Sequence, residues 1–120
     1  MLNDHDMDAV FQALGNASRR RMLDIVKDQP GIAVGVLASE FDVSRIAVMK
    51  HLAVLEEANL IVSEKDGRTR RLYFNAVPIQ MIHERWTTEY SAYWAGQLTR
   101  IKYIAETRHR DNESGGKQSK

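Results

Sequence analysis

The 120-residue sequence contains no cysteine. That excludes a disulfide framework and any thiolate metal site. No apolar stretch approaches the roughly 20 residues that a membrane-spanning helix needs, so no membrane partner is expected. Residues 1–8 are acidic, without a basic region followed by an apolar run, so no secretory signal is read there and the cytoplasm is the expected location. A nucleophile motif, a glycine-rich phosphate loop and an acid–base pair at catalytic spacing are all missing. His5, His51, His83 and His109 are scattered among different segments. An enzyme is therefore not expected, and no cofactor or metal is assigned. Charge of one sign is lacking too: 17 basic and 16 acidic side chains leave a net charge of +1. Any affinity for a polyanion must come from how the charge is distributed.

What is present is strong periodicity. Met7, Val10, Phe11 and Leu14 fall at i, i+3, i+4 and i+7, one face of a helix. Asp4 or Asp6 can cap its start, and Gly15 fits its end. Asn16 is a good N-cap for a second helix to about Lys27, with Met22, Leu23, Ile25 and Val26 apolar. Pro30-Gly31 marks a turn. A short third helix is expected over Val34–Phe41. Asp42-Val43 leaves room only for a tight turn before Ser44 caps a fourth helix to about Ala58. Val48, Leu52 and Leu55 form its buried stripe.

The period then changes. Leu60–Lys65 and Arg70–Asn75 are β-prone runs separated by a hairpin turn read at Asp66-Gly67. Pro78 suits the first turn of a last helix. In that helix Ile79, Ile82, Trp86, Tyr90, Tyr93, Ile101 and Ile104 keep one face. From Thr107 the chain is polar and reads as a disordered tail. The expected architecture is mainly α with a small β-hairpin: a winged helix-turn-helix over residues 1–106, followed by a polar tail over 107–120.

In such a unit the second helix of the pair enters the major groove. On a helical wheel Arg45, Ile46, Met49 and Lys50 point away from the buried stripe, and His51 lies at the flank. Arg45 and Lys50 can reach guanine edges or phosphates, and Ile46 and Met49 can contact thymine methyls. Ser44 can cap the helix and donate to a phosphate. The hairpin carries Arg68, Arg70 and Arg71, which repel one another unless an anion or solvent intervenes. A solvated basic face or a charge-protected edge strand accounts for either surface alone; together they point to double-stranded DNA. Arg19, Arg20 and Arg21 lie in a first turn, where the helix dipole disfavours cations. Phosphate contact and internal pairing both stay open there.

Val10, Phe11, Ile79, Ile82, Trp86, Tyr90, Tyr93 and Ile101 are too many large apolar residues for four small helices to cover. A homodimer through the first and last helices is the simplest burial. A small-molecule effector beside Trp86, Tyr90 or Trp94 stays unidentified, and core packing explains those aromatics more simply.

The run Ala13-Leu14 with Arg19-Arg20-Arg21-Met22-Leu23, followed by Val36-Leu37-Ala38 and Ser44–Ile61, resembles the ArsR-type winged helix-turn-helix repressors. Gly67, Arg68 and Tyr73 resemble their wing. The resemblance spans about Met7 to Ala105 and implies a homodimeric repressor on a near-palindromic operator. Asn59 stands where the family usually has glycine, and Met49 where it often has a small polar residue. Metal-sensing members carry a cysteine pair near the third helix; Ile32–Leu37 has none. Others bind zinc through histidine and carboxylate ligands on the last helix, where this chain offers His83, Glu84 and Glu89 but no second histidine. The resemblance is therefore to a cysteine-free, metal-independent branch. The alternatives are a protein-binding winged helix, which predicts neutral or acidic wings, and a metal-responsive repressor with a non-classical His/carboxylate site.

Overall fold

The computed structural model describes residues 2–87 and 92–118. Along the chain lie α1 (Asp4–Leu14), α2 (Ala17–Asp28), β1 (Ile32–Ala33), α3 (Val34–Ser39) and α4 (Arg45–Glu57). They are followed by β2 (Ile61–Asp66), β3 (Thr69–Phe74), α5 (Val77–Thr87) and α6 (Ala92–Gln118). The chain divides into two compact units, one ending at Trp86 and the other beginning at Thr87.

Three helices of the first unit start on side-chain caps. Ser44 Oγ accepts from the Ala47 amide at 3.1 Å, and Asn16 Oδ1 from the Arg19 amide at 3.1 Å. The cap of α1 is Asn3, whose Oδ1 accepts from the Asp6 amide at 2.7 Å, rather than Asp4 or Asp6. Those two acids occupy the first turn instead, where they face the positive end of the helix dipole. Each such cap contributes about 1 kcal/mol.

The core gathers Met22, Leu23 and Val26 of α2, Leu37 of α3, and Leu60, Ile61 and Leu72 around the α4 stripe. Val48, Leu52 and Leu55 are 0%, 1% and 0% exposed. Val10 belongs here as well, at 1% exposure. Its place is inside the protomer, not on a surface for a second copy, because α1 packs on both α2 and α4.

The hairpin gains a third strand: the antiparallel order is β1-β3-β2, with Ile32 opposite Leu72. Two residues are too few to show a period, so β1 left no pattern in the sequence. In the wing Asp66 pairs with Thr69. The turn residues are thus Gly67 and Arg68, one position later than the sequence suggests. Gly67 has φ +63° and Arg68 is not left-handed, the glycine-first pattern of a type II′ turn. Gly31 has φ +85°, and a Cβ there would meet the Tyr73 hydroxyl at 3.5 Å. Asn59, after α4, holds φ +60°, a conformation asparagine tolerates better than most residues.

Beyond Pro78, helix is described over α5, to Thr87, and over α6, from Ala92; residues 88–91, within the single last helix read from Pro78, lie outside the described residues. Ile82 of α5 packs against the core. The second unit carries α6, which runs to Gln118 through the stretch read as a polar tail. Helix-forming Arg108, Arg110 and Glu113 continue the helix there, and Lys102 pairs with Glu106 at 3.9 Å. α3 stops at Ser39, two residues before Phe41.

Leu52→Ala is expected to lower the unfolding free energy by about 2–5 kcal/mol, measured by urea denaturation. A loss below that range would mean that the α4 stripe is not the centre of the core.

Candidate nucleic-acid interface

Burial of Val48, Leu52 and Leu55 turns the opposite face of α4 outward. Arg45, Ile46 and Lys50 are exposed, Ile46 at 70%. Ser44 is exposed too; its oxygen caps the helix, which leaves the hydroxyl proton able to donate. Met49 is half-buried and packs against the core, so it reaches the outer face only in part. An open cleft of about 500 Å³ lies between α4, α3 and the wing, lined by Val36, Arg45, Met49, Arg68 and Arg70 among others. Val36 and Val43 are exposed aliphatics beside this face. The sequence did not single out either: α3 is too short to show which side faces out, and Val43 sits in the turn before α4.

His51 is engaged rather than open. Its Nδ1 lies 3.3 Å from Arg19 Nη1. Arginine has no acceptor, so the imidazole nitrogen accepts in this pair. The same guanidinium donates from Nε to the Ala13 carbonyl at 2.9 Å and from Nη2 to the Gln12 carbonyl at 2.8 Å. Arg20 donates to the Leu14 carbonyl at 2.7 Å. Arg21 donates to the Glu40 carbonyl at 3.0 Å and stacks over Phe41 at 4.7 Å. The basic run is therefore internally paired, though not to acids. Two of its arginines donate to carbonyls at the C-terminal end of α1, the negative end of that helix dipole.

The wing arginines separate by strand alternation. Arg70 shares a face with Leu72, which is buried. Its Nη2 donates to Glu56 Oε1 at 2.5 Å and its Nε to Ser63 Oγ at 3.2 Å. Arg71 lies on the other face and donates to Asp66 Oδ2 at 2.9 Å and to the Gly31 carbonyl at 3.0 Å. Arg70 and Arg71, read with Arg68 as a DNA-contacting set, thus each have a carboxylate partner within the chain. Arg68, at the turn, is exposed with no hydrogen bond or ion pair among the described residues. The alternation Arg70-Arg71-Leu72 was the signal available in the sequence: the arginine two before a core leucine points inward.

Of the residues read as a dimer surface, Phe11, Ile79, Trp86 and Ile101 are exposed. Ile82 is half-buried on the core. Tyr90 lies outside the described residues, as do the side chains of Tyr93 and Trp94. Among the described residues no group of three or more His, Asp or Glu side chains could hold a metal. No described helix is long and apolar enough to cross a membrane.

A helix-turn-helix domain family model matches residues 14–64, from the end of α1 into β2. The uncharacterized HTH-type transcriptional regulator YuzN of Bacillus subtilis is 36% identical over 85 residues, 66% of this chain and 92% of its own. The transcriptional repressor SdpR of the same organism is 28% identical over 74 residues, covering 62% of this chain and 81% of SdpR. Among solved structures, an ArsR-like transcriptional regulator from Rhodococcus sp. RHA1 superposes with a TM-score of 0.63. Its identity is 30%, with 86% of this chain and 93% of that one covered.

Arg19→Ala is expected to destabilise the protein by about 1–3 kcal/mol, the cost of losing the donor to the Ala13 carbonyl, in a urea titration. The salt dependence of duplex DNA binding should stay as it is. A flatter salt dependence with unchanged stability would place Arg19 on a phosphate instead.

Proposed function

The chain belongs to the ArsR family of winged helix-turn-helix transcriptional regulators, which bind DNA and are not enzymes, and on that premise we propose that it is a repressor acting as a homodimer on a near-palindromic operator. The observation that carries this reading is the outward face of α4, with Arg45, exposed Ile46 and Lys50 opposite a fully buried stripe. Arg45 and Lys50 supply hydrogen bonds and charge to base edges and phosphates, and Ile46 supplies apolar contact to thymine methyls. Ser44 and the exposed part of Met49 join them. On the wing, Arg68 makes the backbone contact. His51, Arg70 and Arg71 support the surface through their internal partners. Repression follows the role of the relative SdpR, a transcriptional repressor, and suits a small binder that occludes a promoter. The cytoplasm is its proposed location.

Selection of bound sites from random duplex DNA tests the reading; failure to enrich any sequence would overturn it. On the selected site Arg45→Ala should cost about 1–3 kcal/mol and relax preference at one position. Arg68→Ala should weaken all duplexes alike and lower the slope of log K against log salt by about one. Unchanged preference in the first variant, or an unchanged slope in the second, removes that residue from the interface.

The functional unit of DNA binding and dimerisation is proposed to span residues 1–106. Along α6, Leu98, Ile101 and Ile104 are 50%, 61% and 44% exposed and recur every third position. Exposed apolar rows of this kind mark interaction surfaces. A second copy is the proposed cover for them, with Phe11, Ile79, Trp86, Tyr90 and Tyr93 the further candidates. Sedimentation at micromolar concentration should give a dimer for the native chain and a monomer for Leu98→Glu with Ile101→Glu. A native monomer would refute the dimer, and a dimeric double variant would refute the α6 surface.

A further inference from the structure

The wing leaves the body of the protein as a two-stranded ribbon. β1 pairs only with Leu72 and Arg71 of β3, so the span from Lys65 to Arg70 has no third strand beside it. Two-stranded ribbons are marginally stable in water and twist freely. Two side chains tie this span back. Arg71 binds the Gly31 carbonyl, which lies beside β3 in the sheet, so it cannot fix the swing of the ribbon toward α4. Arg70 can: its guanidinium spans β3, Ser63 of β2 and Glu56 in the last turn of α4.

We propose that the Glu56–Arg70 ion pair is a positioning latch that sets the wing at a fixed angle to the recognition helix. The wing contact of Arg68 and the base contacts of Arg45, Ile46 and Lys50 are thereby delivered together. The inference rests on the DNA-binding reading above and adds what makes the two contacts act as one. Both partners are partly exposed, with side chains 39% and 27% accessible. Such a pair contributes little to global stability, so its value lies in geometry. It also accounts for a carboxylate on the element that approaches DNA. Electrostatics alone says that removing Glu56 should strengthen binding to a polyanion. A latch says that the specific complex should weaken instead.

The test uses Glu56→Gln and Arg70→Ala in the full chain. Glu56→Gln is expected to lower affinity for the selected duplex about five- to tenfold, while affinity for random duplex stays level or rises, so their ratio falls. Arg70→Ala should lower the same ratio and leave the salt slope unchanged. Because the chain has no cysteine, spin labels can be placed at Lys65→Cys and Glu57→Cys without background. The distance distribution between them should be narrow in the labelled parent and broad once Glu56→Gln is added. An unchanged affinity ratio, an unbroadened distribution, or an Arg70→Ala slope lowered by about one, as for a phosphate ligand, would each overturn the latch. If no duplex is bound specifically, the functional reading fails, and the spin-label distances still decide whether the latch exists.

Discussion

The rotation of α4 about its own axis governs the molecule. A helix advances about 100° per residue, so Val48, Leu52 and Leu55 at i, i+4 and i+7 define one narrow stripe. All three are essentially inaccessible. Turning the helix by one residue would expose a leucine and bury a cation, costing several kcal/mol by either term. The outward placement of Arg45, Ile46 and Lys50 is therefore a consequence of core packing. The Ser44 cap fixes where the helix begins, and the left-handed Asn59 fixes where the chain leaves it for β2.

Charge compensation decides which cations are left over. Arg19 and Arg20 serve the C-terminal carbonyls of α1, Arg21 the ring of Phe41, Arg70 the Glu56 carboxylate, and Arg71 that of Asp66. On α4 and the wing, Arg45, Lys50, Lys65 and Arg68 are exposed with no ion pair among the described residues. A net charge of +1 thus conceals exposed cations on two adjoining elements, α4 and the wing. The crowding of three cations at the start of α2 is a device for closing the end of the preceding helix. That is why a run of like charge can be stable without a ligand.

Much of this was legible in the sequence where one residue type had a single physical use. Asn16 and Ser44 stood immediately before periodic apolar runs, and both are caps. The α4 stripe needed only its spacing. The change of period after Leu60 gave the hairpin, although the glycine belongs at the first turn position, so the turn moved by one residue. Partners distant in sequence left no local trace: Arg70 finds Glu56 and Arg19 finds His51 only once the helices are packed. Val10 misled because a one-dimensional stripe does not say whether its cover comes from the same chain. β1 escaped for a simpler reason, since two residues carry too little periodicity to read.

Magnitudes bear on why a second copy belongs in the functional reading. One recognition helix here turns three exposed side chains outward, with Met49 in partial support. A well-placed base contact discriminates by about 1–3 kcal/mol, and the wing arginine adds affinity for any sequence alike. Specific regulators exceed their own non-specific binding by about 4–10 kcal/mol. Three such contacts from one copy of α4 sum to about 3–9 kcal/mol, which falls at or below the low end of that range when each contact is weak. Two copies on a two-fold site double the discriminating contacts, and a rigid wing angle in each keeps the two halves in register. In the proposed reading the apolar row on α6 and the ion pair at the base of the wing answer one requirement: a short helix reads few bases, so it gains from being held accurately and used twice.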